Sequence, residues 1–100
     1  RTDDMVVIRG INIWPSSIEA VIRRCPNVVE FRTTVDATKA MADILIDVEF
    51  DTAVTDTESE RRIIEDALRA TLALRVPVQV VAAGSLPRFE MKARRWIRLR

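Results

Sequence analysis

The sequence contains no histidine and a single cysteine, Cys25, among its 100 residues. Without histidine, the Ser-His-Asp and Cys-His arrangements of nucleophilic enzymes are excluded, and most zinc and non-haem iron sites lose a ligand that they need. One cysteine cannot form an intramolecular disulfide, so we expect an intracellular chain without a metal site. Any catalysis must therefore depend on carboxylates, lysine or arginine.

Long hydrophobic runs are also missing. No apolar run approaches the roughly 20 residues that a membrane span needs, and the opening RTDDMVVIRG lacks the apolar core and cleavage site of a signal peptide. We therefore expect a cytoplasmic protein with no membrane partner. The length suffices for one domain, and because the chain opens on Arg1 rather than methionine, we expect it to be part of a longer protein.

Basic residues are concentrated in the last part of the chain. Residues 88–100, here called the basic arm, hold six lysines and arginines against one glutamate. Such a cluster could neutralise phosphates, which leaves open a small nucleic-acid-binding module, although the chain has no tyrosine on which bases could stack. A ligand-binding α+β module of the ferredoxin-like kind is a further alternative.

The apolar pattern predicts short strands around one longer hairpin. Runs at residues 5–8 and 11–13 are broken at Arg9 and Gly10, where glycine permits a tight turn. Residues 28–35 and 43–50 alternate between apolar and polar and are expected to pair antiparallel. We expect the following side chains of these two strands to face inward: Val29, Phe31, Thr33, Val35, Ile44, Ile46, Val48 and Phe50.

Two amphipathic helices are predicted, each from a capping box followed by apolar residues at helical spacing. Ser16 with Glu19 opens the first, which ends before a proline, and Thr57 with Glu60 opens the second, which continues through Leu74. A third sheet strand at 77–82 and a final extended segment at 94–99 complete the order β-β-α-β-β-α-β plus a tail. The predicted fold class is α+β, with two helices packed on a small mixed sheet and a β-hairpin in front.

Two segments of the sequence resemble one known family. The opening RTDDMVVIRGINIWPSSIE and the closing GSLPRFEMKARRWIRLR are similar, in the same order and separation, to the C-terminal domain of the phenylacetate-CoA ligase family of adenylate-forming enzymes. The resemblance implies that residues 1–100 are the mobile C-terminal domain and that its partner is an N-terminal adenylation domain of the same enzyme, outside this sequence.

The resemblance also implies roles for individual residues. Lys92 corresponds to the lysine that catalyses adenylation, Asp3 to the hinge between the two domain positions, and Arg1 to an arginine near the nucleotide. Arg9 and Gly10 correspond to the hairpin that faces coenzyme A during thioester formation. For each residue a plainer reading stays open, namely a solvated lysine or arginine, a polar turn at Asp3 and a turn glycine chosen for its geometry.

The implied reaction joins a small carboxylic acid, by default an aryl acid such as phenylacetate, to coenzyme A with ATP and magnesium. The resemblance implies neither a nucleic-acid partner nor a protein metal site. We expect the isolated domain to bind no cofactor and to be inactive, because the acyl pocket belongs to the N-terminal domain. One departure bears on activity: Met91 precedes Lys92 where the family has glycine, which predicts a stiffer loop or an impaired enzyme.

Overall fold

A computed structural model describes residues 5–38, 41–86 and 96–99. Two helices and six strands follow one another in the described chain: β1 (Val6–Ile8), β2 (Ile11–Ile13), α1 (Pro15–Arg23), β3 (Val28–Asp36), β4 (Asp43–Phe50), α2 (Thr57–Leu72), β5 (Val78–Val81) and β6 (Trp96–Leu99). The predicted α+β fold, with its hairpin ahead of the first helix, is confirmed.

The strands form two sheets. β1 and β2 make an antiparallel hairpin, and the other four strands form a sheet in the order β5-β4-β3-β6. β3 and β4 pair antiparallel as predicted, whereas β5 runs parallel to β4 and β6 runs parallel to β3. The predicted extended tail is therefore a strand of a mixed sheet, and α2 is the crossover between two parallel strands.

One face of the four-stranded sheet forms the hydrophobic core together with both helices and the hairpin. The inward residues predicted for β4 are at most 5% exposed, and burial of each such side chain contributes about 1.5–3 kcal/mol. The helices and the hairpin add the following residues to the same cluster: Ile18, Val21, Ile22, Ile64, Leu68, Leu72, Val6, Ile8 and Ile13.

Both predicted capping boxes are wrong. α1 begins at Pro15 with Trp14 as its N-cap and without a side-chain cap bond, because the fixed φ of proline suits the first helical position. α2 is capped by Asp56, whose carboxylate accepts the Ser59 backbone N–H at 3.1 Å. The observed N-cap lies two residues before the predicted one in α1 and one residue before it in α2.

A β-bulge corrects the predicted alternation of β3. The register with β4 shifts between Val28 and Glu30, and the extra residue, Val29, is 42% exposed instead of facing inward. Beyond the bulge the prediction is confirmed, since the inward residues of β3 are buried. The shift places Glu30 directly opposite Glu49 on the sheet face that points away from the core.

No helix within the described residues is long and apolar enough to cross a membrane.

Candidate functional site

The tip of the β1–β2 hairpin is a two-residue turn in an unusual conformation. Arg9 has φ +51° and Gly10 has φ +78°, the left-handed pair that a tight hairpin turn requires. Glycine adopts this conformation freely, whereas it costs other residues roughly 1–2 kcal/mol. Open space surrounds the position that a Cβ of Gly10 would take, so the backbone conformation alone accounts for this glycine.

The tip is exposed but its base is fixed. Val6, Ile8 and Ile13 are buried in the main core, so the hairpin is held to the body of the domain. The Arg9 guanidinium lies 3.4 Å from a carboxylate oxygen of Asp43, the first residue of β4. Both side chains are about half exposed, so this ion pair orients the arginine without sequestering its charge.

A groove of about 470 Å³ lies beside the turn. Its lining combines the arginine with two carboxylates at the adjoining ends of β3 and β4 and with apolar side chains, and includes Arg9, Thr34, Asp36, Asp43, Leu45 and Leu99. Asp36 also accepts the Thr38 backbone N–H at 3.0 Å. The groove thus holds one basic and two acidic side chains, of which Arg9 and Asp43 form the ion pair described above.

The other predicted site residues, Lys92, Asp3 and Arg1, lie outside the described residues. The structure thus brings together Arg9 and Gly10 only. The residues that flank the interval 87–95, in which Lys92 falls, are described on both sides. Leu86 is buried and donates its backbone N–H to Glu49 Oε1 at 3.3 Å, while Trp96 pairs with Thr33 at the start of β6.

Sequence reasoning missed three buried acids on the sheet face away from the helices. Glu30, Asp47 and Glu49 are 4%, 6% and 1% exposed, although their places in the alternation predict a solvated face. Asp47 forms an ion pair with Arg32 at 3.2 Å. A polar residue at every second position is expected both for a sheet face exposed to solvent and for a polar face covered by other parts of the chain. The sequence alone therefore does not distinguish these two cases.

Cys25, the one cysteine of the chain, lies in surroundings that do not favour a reactive thiolate. Cys25 packs against the core, and burial, with a smaller contribution from Glu60, raises the pKa of its thiol. A thiol that stays protonated is a poor nucleophile. Across the described part of the chain, no group of three or more cysteines and carboxylates is arranged to hold a metal ion.

Comparison with known proteins identifies the class to which this fold and hairpin belong. Residues 10–100 match the family of AMP-binding enzyme C-terminal domains, and the chain belongs to that family. It is 28% identical over 106 residues to phenylacetate-coenzyme A ligase of Escherichia coli K12, a match that covers the whole chain but 24% of the relative. The chain thus spans about a quarter of that enzyme.

Solved structures give the same assignment. A 2-hydroxyisobutyryl-CoA ligase in the postadenylation state matches 98% of this chain and 22% of its own, with 33% identity and a TM-score of 0.83. A domain of phenylacetate-coenzyme A ligase from Bacteroides vulgatus matches 98% of this chain and 94% of its own, with 24% identity and a TM-score of 0.81, which supports the fold. The chain is the C-terminal domain of an adenylate-forming ligase.

Proposed function

We propose that this domain serves an ATP-dependent CoA ligase that activates an aryl acid of the phenylacetate type. The observation that carries the assignment to a CoA ligase is the likeness to 2-hydroxyisobutyryl-CoA ligase, which has been solved with 2-HIB-AMP in the postadenylation state and with 2-HIB-AMP and CoA in the thioesterification state. The E. coli relative supports phenylacetate as the substrate. The partner is the N-terminal adenylation domain, to which we assign the acid, ATP and magnesium.

Lys92 is proposed to act in the first half-reaction. The acid's carboxylate attacks the α-phosphorus of ATP and pyrophosphate leaves, so negative charge builds on the phosphate oxygens. A compact ammonium group aimed at those oxygens stabilises the transition state, and loss of one such group costs on the order of 100- to 1,000-fold in rate. Arg1 is proposed to lie near the same nucleotide.

The hairpin is proposed to act in the second half-reaction, in which the thiol of coenzyme A displaces AMP from the acyl-adenylate. Arg9 supports this role because an arginine in left-handed conformation costs stability that glycine at the same place would not. Its exposed guanidinium suits a phosphate of coenzyme A, for which arginine provides parallel N–H donors. Gly10 completes the turn that holds it there.

The experiment that tests Lys92 uses the full-length ligase and measures the two half-reactions separately. Lys92→Ala should suppress adenylation, followed by pyrophosphate release, while thioester formation from a supplied acyl-adenylate largely survives. The matched control is Lys39→Ala, the same change at the other lysine of the chain. Equal losses in both half-reactions would remove Lys92 from its role.

Asp3 is proposed as the hinge between the two domain positions. Asp3→Pro fixes φ near −65° and should slow thioester formation while adenylation largely persists, because the domain can no longer absorb the change between positions. Single-turnover rates of both half-reactions decide this. An unchanged ratio in protein that is folded by circular dichroism would exclude Asp3 as the hinge.

A further inference from the structure

Glu49 is a buried acidic side chain, and burial of a carboxylate normally lowers stability. It lies next to the last residue of β4, is 1% exposed, and points away from the hydrophobic core, since its neighbours Val48 and Phe50 face inward. Burial of a charged group is unfavourable unless hydrogen bonds compensate it. One such bond is the Leu86 backbone N–H, whose nitrogen lies 3.3 Å from Glu49 Oε1.

A hydrogen-bonded turn between Ala82 and Ser85 leads the chain from β5 to Leu86. After β5, the Ser85 backbone N–H donates to the Ala82 carbonyl at 3.0 Å, and the Ser85 hydroxyl donates to the same oxygen at 2.5 Å. Gly84, with φ +80°, provides the left-handed residue of this turn. Leu86 follows it directly and is 4% exposed, so the backbone hydrogen bond to Glu49 joins the chain to β4 at a buried residue.

This attachment precedes the interval that contains Lys92. Leu86 stands six residues before Lys92, and Trp96, which pairs with Thr33 of β3, stands four residues after it. The described residues on either side of the interval are thus both joined to the sheet. A displacement of about 1 Å at a reacting group can cost about 100-fold in rate, so a loosened end should be visible in catalysis.

We propose that Glu49 is a positioning residue for adenylation, which holds the Leu86 backbone and thereby the N-terminal end of the Lys92 interval. The inference rests on the proposed role of Lys92. A glutamate suits the task because its carboxyl oxygens are hydrogen-bond acceptors and its side chain reaches the Leu86 N–H from β4. Glu49 itself touches no substrate in this mechanism and acts through Lys92.

The test compares two substitutions at Glu49 in the full-length ligase. Glu49→Leu introduces an apolar side chain of similar bulk and removes the acceptor, and should lower the adenylation rate roughly tenfold with thioester formation from supplied acyl-adenylate unchanged within about twofold. Glu49→Gln retains an amide oxygen that can accept the same N–H and should restore most of the rate. Hydrogen exchange of the Leu86 amide should quicken in Glu49→Leu and stay slow in Glu49→Gln.

The matched control is Asp47→Leu, which removes another buried carboxylate of β4, one whose ion-pair partner Arg32 lies within the sheet. It should lower stability without changing the ratio of the two half-reactions. If Glu49→Leu also lowers both half-reactions in parallel, or if Glu49→Gln fails to restore adenylation, Glu49 has only a structural role and the inference is wrong.

A double substitution separates this inference from the proposed function. Because Glu49 acts through Lys92, Glu49→Leu should cause no further loss of adenylation in a Lys92→Ala background. If the two losses multiply instead, the inference fails while the role of Lys92 stands. If Lys92→Ala alone leaves adenylation intact, the proposed function of Lys92 fails, and the inference fails with it.

Discussion

Replacement of Arg9 by glycine can separate a role in ligand binding from a role in folding. Arg9 has φ +51°, and glycine should relieve the roughly 1–2 kcal/mol that this conformation costs other residues. The greater freedom of glycine in the unfolded chain offsets roughly 0.5–1 kcal/mol of that gain. The lost ion pair with Asp43, at 3.4 Å with side chains 49% and 47% exposed, is screened by solvent and contributes about 0.2–1 kcal/mol. These terms nearly cancel.

The free energy of unfolding, measured by urea titration, should therefore change by less than about 1 kcal/mol in Arg9→Gly. If the guanidinium binds a phosphate of coenzyme A, the loss of a hydrogen bond to a charged group costs about 1.5–3 kcal/mol, or roughly 10- to 150-fold in kcat/KM for coenzyme A. The assay is thioester formation by the full-length ligase from preformed acyl-adenylate. Adenylation should be unchanged.

Asp43→Asn is the control, because it weakens the ion pair and keeps the guanidinium. The kcat/KM for coenzyme A should be nearly unchanged in Asp43→Asn. A wild-type kcat/KM for coenzyme A in folded Arg9→Gly would refute the reasoning, since the hairpin would then not be the element that faces coenzyme A. If Asp43→Asn and Arg9→Gly were equally impaired, orientation of the hairpin rather than phosphate contact would be the cause.

Three further substitutions test the energetics of the fold. Thr33→Val should raise the urea midpoint, with a gain of about 1 kcal/mol, because among the described residues the buried Thr33 hydroxyl has no hydrogen-bond partner. Ala73→Gly should stabilise by about 0.5–1 kcal/mol in the same titration, since Ala73 ends α2 with φ +57°. In Asp56→Asn the free energy of unfolding should fall less steeply as the pH is lowered than it does in the wild type. Hydrogen bonds from the side chain and backbone of Ser59 lower the pKa of Asp56, so its contribution is present above the ordinary value of 3.8 and is lost as the pH falls through the lowered pKa. Urea midpoints between about pH 5 and pH 2 check this.

Local patterns were sufficient to predict the elements that depend on local physics. The hairpin followed from two apolar runs broken at Arg9 and Gly10, and the pairing of β3 with β4 followed from strict alternation and a short connection. The apolar spacing predicted the buried faces of both helices, such as Ile64 and Leu68 in α2. In each case one short stretch of sequence contained the whole signal.

The missed features depend on contacts between distant residues. The bulge at Val29 turns a residue of strong β propensity towards solvent, and it is defined by the register with β4 rather than by β3 alone. Glu49 looks solvated in the sequence because its cover, Leu86, comes 37 residues later. β6 pairs with β3, although most of the sequence lies between the two strands. The place of β6 in the sheet therefore could not be predicted from its own residues.

The two candidate functional elements are attached to opposite ends of one strand. Arg9 contacts Asp43, the first residue of β4, and Glu49, the seventh, holds Leu86; at about 3.3 Å per residue these ends are roughly 20 Å apart. Only Lys92 is proposed to act at the reacting atoms, whereas Arg9 is proposed to contact a phosphate of coenzyme A. β4 lies between β3 and β5 and its inward side chains are buried, so the strand cannot bend to bring its ends together. A rotation of the domain between the two half-reactions, as proposed above, would let each end of β4 act in turn, and the proposed hinge, Asp3, precedes β1 in the sequence.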